Sequence, residues 1–195
     1  MKCCMFAVVI HVVSGCSDTS PARIDAAQGG SDIDAPPSSK RIFITSQMFQ
    51  GNLGGLVGAD AICTSQATQL AGSWKAWLST TTVNAIDRIA NVGPWYDTHG
   101  TQIFANHAAL MSMPSVGLNY DAAGTFLGSH KIWTGTGFGG TYLAALSGSA
   151  PCSEWTSSAM NGQAKVGQVG RADVAWTAQS NTTCDQDAHL ICIEQ

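Results

Sequence analysis

Apolar side chains run almost continuously from Met5 to Val13, nearly vanish between Ser17 and Lys40, and return abruptly at Arg41-Ile-Phe-Ile-Thr45. That last segment is β-branched and aromatic, which predicts a strand. Gln50–Gly58 is glycine-rich and predicts a loop. From Ala59 to Leu70, Ala59, Ile62, Cys63, Ala67 and Leu70 fall near one helical face, with Gly72 as a stop. Lys75–Ser79 predicts a second strand. Val83–Ala90 fits a short amphipathic helix, with Val83, Ile86 and Ile89 or Ala90 inward and Gly93-Pro94 ending it. Asn106 is placed to cap one more helical turn through Met111, stopped before Pro114. Beyond it the pattern is one of short strands and loops, clearest at Lys131–Thr134, Val174–Thr177 and His189–Ile193. Helices early and strands late predict an α+β fold. No internal repeat or low-complexity tract is visible within this domain.

The same pattern divides the chain into 1–15, 16–40 and 41–195. Met1-Lys2, the short apolar stretch and Ser14-Gly15-Cys16 have the form of a secretory signal, too short to span a bilayer and interrupted by His11. Val13-Ser14-Gly15-Cys16 resembles the lipobox of bacterial lipoproteins, which implies cleavage before Cys16 and its acylation. The bland alternative is an ordinary cleaved signal beside a chance cysteine. Residues 17–40 contain Pro21, Pro36, Pro37, Gly29, Gly30 and four Asp, with Ile24 and Ile33 as the large apolar residues. Such a segment buries too little surface to offset its ordering entropy, so it is expected to be a disordered leash spanning roughly 25–30 Å.

Composition narrows the function. A net charge of −4, with only 11% charged residues, argues against a nucleic-acid partner. Lys75, Arg88, Lys131, Lys165 and Arg171 stand singly and form no basic patch in the sequence.

Four cysteines, Cys63, Cys152, Cys184 and Cys192, fall in the mature domain. An even number in an exported chain predicts disulfides, and three pairings are open. Zinc is the competing reading, but no Cys-x-x-Cys pair is present. Gly135-Thr-Gly-Phe-Gly-Gly140 matches a dinucleotide fingerprint, with Glu154 about twenty residues on, yet Tyr142–Ser147 is too short for the helix that motif requires. A turn between strands is the better account. His99, His107, His130 and His189 lack metal-ligand spacing, and no Gly-x-Ser-x-Gly or His-Glu-x-x-His accompanies them. The tryptophans mostly lie in strand patterns and predict packing. Trp95, Tyr96 and Phe138 are the aromatics expected to be exposed for binding. Asn181-Thr-Thr183 fits a glycosylation acceptor that a bacterial lipoprotein would not normally use.

Gly58-Ala-Asp-Ala-Ile-Cys63, Lys75-Ala-Trp-Leu-Ser79, Ile132-Trp-Thr-Gly135, Cys152-Ser-Glu-Trp155, Cys184 and Leu190-Ile-Cys-Ile-Glu194 resemble the endostatin-like branch of the C-type lectin fold. The closer resemblance is to a bacterial set of lipoproteins and secreted proteins of unassigned function, the DUF1554-like domains. It runs from Arg41 to Gln195 and implies two short helices, a small mainly antiparallel sheet and a long irregular loop region. It also implies the pairings Cys63–Cys192 and Cys152–Cys184. The calcium-binding Glu-Pro-Asn-like and Trp-Asn-Asp triplets of lectins are missing, since Trp176 is followed by Thr177-Ala178. The zinc-binding histidines and heparin-binding arginines of vertebrate endostatins are missing too. No cofactor or metal is therefore expected.

These readings point to an exported, membrane-anchored, non-catalytic binding module of the cell envelope, facing the surface or the periplasm. By analogy with leptospiral endostatin-like surface lipoproteins, its partner is expected to be a protein, with extracellular-matrix proteins one possibility, or a glycan. The loop region from about Trp95 to Ser180 is the expected binding face. The alternatives are a structural envelope lipoprotein without a specific ligand and, third, a hydrolase without a recognisable motif.

Overall fold

A computed structural model describes residues 39–195. The leader, Cys16 and most of the linker lie outside the described residues. Five strands form a mixed sheet in the order β2-β8-β1-β3-β4, comprising β1 (Lys40–Ile44), β2 (Trp74–Ala76), β3 (Trp95–Tyr96), β4 (Gln102–Phe104) and β8 (Ile191–Glu194). Strand β1 runs antiparallel to β8, with Phe43 opposite Cys192, and parallel to β3, with Arg41 opposite Tyr96. A second sheet is antiparallel, in the order β5 (Lys131–Trp133), β6 (Gln163–Gln168) and β7 (Ser180–Thr183). With helices α1 (Gly55–Gln66) and α2 (Ala85–Arg88), the class is α+β with small mixed sheets.

The two-residue period of a strand explains why Ile42, Phe43 and Ile44 of β1 are apolar in succession. Phe43 enters one core with Cys63, Trp74, Ala76 and Cys192, whereas Ile42 and Ile44 enter a second with Trp77, Trp95, Ile191 and Ile193. A strand buried on both faces loses the polar alternation of a half-exposed one. All six tryptophans are buried, as packing predicts for all but Trp95: Trp74 and Trp176 at 4% exposure and the other four at 0%. Trp77 and Trp176 stack with ring centroids 5.2 Å apart.

Helix α1 begins four residues before the expected start and ends before Leu70. Its first turn contains Gly55 and Gly58, which read as loop in isolation. A Cβ on Gly58 would lie 2.1 Å from the Leu53 carbonyl oxygen, so close backbone approach demands glycine inside the helix. Ala59, Cys63 and Ala67 form the inward stripe. An ion pair fixes this end of the molecule. The Arg88 Nη2 donates to both Asp60 oxygens at 2.6 and 2.8 Å, and Nη1 donates to the Ala76 carbonyl at 2.6 Å. Asp60 Oδ1 also accepts from Ala76 N at 2.9 Å. One guanidinium thus ties α1, α2 and β2 together, its side chain only 7% exposed.

Elsewhere the structure corrects the sequence reading. Val174–Trp176 is a 3₁₀ turn rather than a strand, because the Asp173 carboxylate accepts from Ala175 N and caps it. Strands β3, β4, β6 and β7 carry no strong β-branched run, and their positions come from partners distant in the chain. Asn106 does cap the 3₁₀ helix His107–Met111, accepting from Ala109 N at 3.0 Å.

Both disulfides form: Cys63–Cys192 spans 129 residues and Cys152–Cys184 spans 32. The second holds an unusual segment. Cys152, Ser153, Glu154 and Trp155 have φ of 45°, 51°, 58° and 66°, one left-handed helical turn without a glycine. It is held by the Trp155 indole donating to Ser79 O at 2.8 Å, by Leu53 N donating to Trp155 O at 2.9 Å, and by Glu154 accepting from Thr81.

Candidate functional site

Three hairpin turns with one hydrogen-bond pattern project from this scaffold. In the first, Gly100 N donates to Asp97 O at 3.1 Å and Asp97 N to Thr101 O at 2.9 Å; Gly100 has φ 79°. In the second, Gly124 N donates to Asp121 O and Asp121 N to Thr125 O, both at 3.1 Å, with φ 80° at Gly124. In the third, Gly140 N donates to Gly137 O at 3.2 Å and Gly137 N to Thr141 O at 2.8 Å, with φ 76° at Gly140. The first two are type I turns followed by a left-handed glycine that forms a bulge, a common way to close a three-residue hairpin loop, whereas Gly139 at φ 86° makes the third a type II turn ahead of Gly140. The flanking residues pair across the hairpin as Tyr96 with Gln102, Tyr120 with Phe126 and Thr136 with Tyr142.

The first two turns share more than backbone. Tyr96-Asp-Thr-His-Gly-Thr101 and Tyr120-Asp-Ala-Ala-Gly-Thr125 repeat the pattern Tyr-Asp-x-x-Gly-Thr. The sequence reading missed this repeat, although the signal was present in the residues. Asp97 Oδ1 accepts from His99 N and Thr101 N at 2.9 and 2.8 Å; Asp121 Oδ1 accepts from Ala123 N and Thr125 N at the same distances. Asp locks the turn by satisfying two amides that the type I geometry leaves unpaired. The third turn has Gly137 at that position, where a Cβ would meet the Leu143 Cβ at 3.1 Å.

The twin turns also grip each other. Thr98 Oγ1 donates to Asp121 O at 3.0 Å, and His99 Nε2 donates to Gly124 O at 2.9 Å. The His99 ring lies on Tyr120 at 4.1 Å, and Phe126 meets Tyr120 edge-on at 5.9 Å. Phe126 is 62% exposed and His99 is exposed. The result is an aromatic shelf whose backbone is fixed from both sides.

This shelf was not among the expected binding residues. Of those, Trp95 is buried rather than exposed: its indole donates to Glu194 O at 2.9 Å, and its ring packs in the second core. Pairing of β3 with β1 draws it inward. Tyr96 is half-buried, its hydroxyl 3.2 Å from Gln102 Oε1. Phe138 is exposed, as expected, at the tip of the third turn. The three are not brought together as one shelf.

A family model described as protein of unknown function (DUF1554) matches residues 46–175, two thirds of the chain. The chain belongs to this family. No curated protein matches it. The DUF1554 match contains Cys63 and Cys152 but ends before their partners Cys192 and Cys184. It also contains all three hairpin turns. The closing strands β7 and β8 and the opening strand β1 therefore complete the DUF1554 scaffold from outside the matched span.

Burial and the negative charge of Glu154 push the Tyr142 phenol up, and burial lowers the His189 imidazole, with His130 nearby adding to it. His189 Nδ1 donates to Thr45 O at 2.7 Å, where the two sheets meet. An apolar hollow beneath Arg171 and Gln168, walled by Phe104, Pro114, Leu118 and Trp176, has room for about one water-sized guest. Among the described residues no group of three or more His, Cys, Asp or Glu is arranged to hold a metal, and no helix is long and apolar enough to cross a membrane.

Proposed function

We propose that this protein is an exported lipoprotein, acylated at Cys16, whose domain is a non-catalytic binding module for a protein partner. The fold we assign to it is C-type lectin-like, of the endostatin-like branch. First and last strands paired antiparallel, a helix bridged to the last strand, and an inner disulfide all support that assignment. Two disulfides accord with an oxidising compartment outside the cytoplasm.

The observation that carries the binding reading is the aromatic shelf of His99, Tyr120 and Phe126. Exposed aromatic rings on a backbone held rigid lose little entropy when a partner covers them, and such rings dominate binding energy at protein interfaces. Here the rigidity comes from paired turns, each locked by an aspartate, and from the contacts between them. The test is capture of surface proteins by the chain, compared with Phe126→Ala and Tyr120→Ala. A specific partner should be lost by about tenfold or more in affinity in either variant, as for an interface hot spot. Equal capture by wild type and both variants would refute the shelf as the site.

A further inference from the structure

A second surface has a different chemistry. From Thr134 to Ala150, seventeen residues carry no charged side chain. This excursion between β5 and the left-handed turn exposes Phe138 at 58%, Leu143 at 40% and Leu146 at 90%, the last being the most exposed large apolar residue among those described. Its base is firm. Ile86 N donates to Gly140 O at 3.0 Å, Tyr142 N to Asn84 Oδ1 at 3.0 Å, and Leu143 N to Gly135 O at 3.0 Å. Ala145 is buried between the exposed leucines, and the Tyr142 hydroxyl donates to Ser149 O at 3.3 Å. The loop thus holds its apolar side chains outward instead of collapsing over them.

We propose that this loop inserts into the lipid interface and docks the domain on the bilayer. Lipid accepts apolar side chains without directional partners and penalises charge, and this segment offers the first and lacks the second. Its polar side chains are Thr and Ser hydroxyls and the phenol of Tyr142, a residue type favoured at the membrane–water boundary. The polar groups beside it, Asn84 and Glu154, lie at its base against Tyr142, while no charged or amide side chain lies within the loop between Lys131 and Glu154. The proposed anchor at Cys16 strengthens the case, because acylation there would hold the domain beside the same membrane.

The experiment separates this inference from the anchor by using the chain from Ser17 onward, which has neither leader nor acylation site. Both disulfides are first verified by non-reducing peptide mapping. Flotation with phosphatidylcholine vesicles should carry the wild type upward, and Phe138→Ser with Leu146→Ser should lower the bound fraction about tenfold. Phe126→Ser, on the aromatic shelf, should float like wild type. Raising salt to about 0.5 M should leave binding unchanged, because no charge pairing is involved. In Leu146→Trp, tryptophan emission should shift to the blue on adding vesicles. Failure of the wild type to float would overturn the proposal, as would flotation of the double variant at the wild-type level. Capture of a protein partner that depends on Phe138 and Leu146, by a chain that ignores vesicles, would overturn it as well.

Discussion

Removing each disulfide as a pair of alanines should reveal unequal contributions. Cys63–Cys192 closes a loop of 129 residues and Cys152–Cys184 one of 32. Loop-closure entropy gives about 5 kcal/mol for the first and about 3.7 kcal/mol for the second, a gap of roughly 1.2 kcal/mol. The local backbone widens that gap. Cys152 sits at φ 45° in a left-handed turn, a conformation costing about 1–2 kcal/mol for a residue with a Cβ. Freed of its bridge, Cys152→Ala can relax and recover part of that cost. Cys152→Ala with Cys184→Ala should therefore lose about 2–3 kcal/mol, and Cys63→Ala with Cys192→Ala about 5, against a typical total of roughly 5–15. All four cysteines are fully buried, so the cavity terms are similar in the two variants. Urea unfolding followed by circular dichroism gives both values. A larger loss for the shorter loop, or equal losses, would refute the assignment of strain to the left-handed turn.

The twin turns should respond alike: Asp97→Ala and Asp121→Ala each strip an acceptor from two amides and should cost about 2–3 kcal/mol, with the Asn variants milder because an acceptor oxygen remains. Chemical denaturation of the four variants checks this ordering, and the double alanine variant should depart from additivity because the turns touch. Asp60→Ala should cost about 3–5 kcal/mol by leaving the Arg88 charge buried without its counter-ion, again read by denaturation. Because burial holds the His189 pKa below its unfolded value of about 6.5, folding favours the neutral ring. Its stabilising effect is full above that value and is lost as pH falls toward the folded pKa, so Tm should drop on acidification and drop less in His189→Gln.

The chain alone determined the elements whose chemistry is local. The doubly buried strand at Arg41–Thr45 is legible because three consecutive large apolar residues fit a strand with a core on each face. The Asn106 cap is legible because a helical turn needs an acceptor for its free amides. The α+β class, the tryptophans other than Trp95 as packing residues and the chain's family resemblance were also readable. Tyr-Asp-x-x-Gly-Thr was equally readable, since a type I turn with a left-handed glycine writes itself into five or six residues. What tertiary structure decided is where two distant segments share one space. Gly58 lies within a helix because Leu53 O approaches it, and Trp95 is buried because β3 docks on β1. Strands β6 and β7 exist because each supplies the other's hydrogen bonds, with Ala164 opposite Thr182 and Val166 opposite Ser180. The left-handed turn at Cys152–Trp155 has no sequence signature at all. Its dihedral angles are unfavourable for every residue in it, and only a disulfide, an indole hydrogen bond and the neighbouring strands together outweigh that cost.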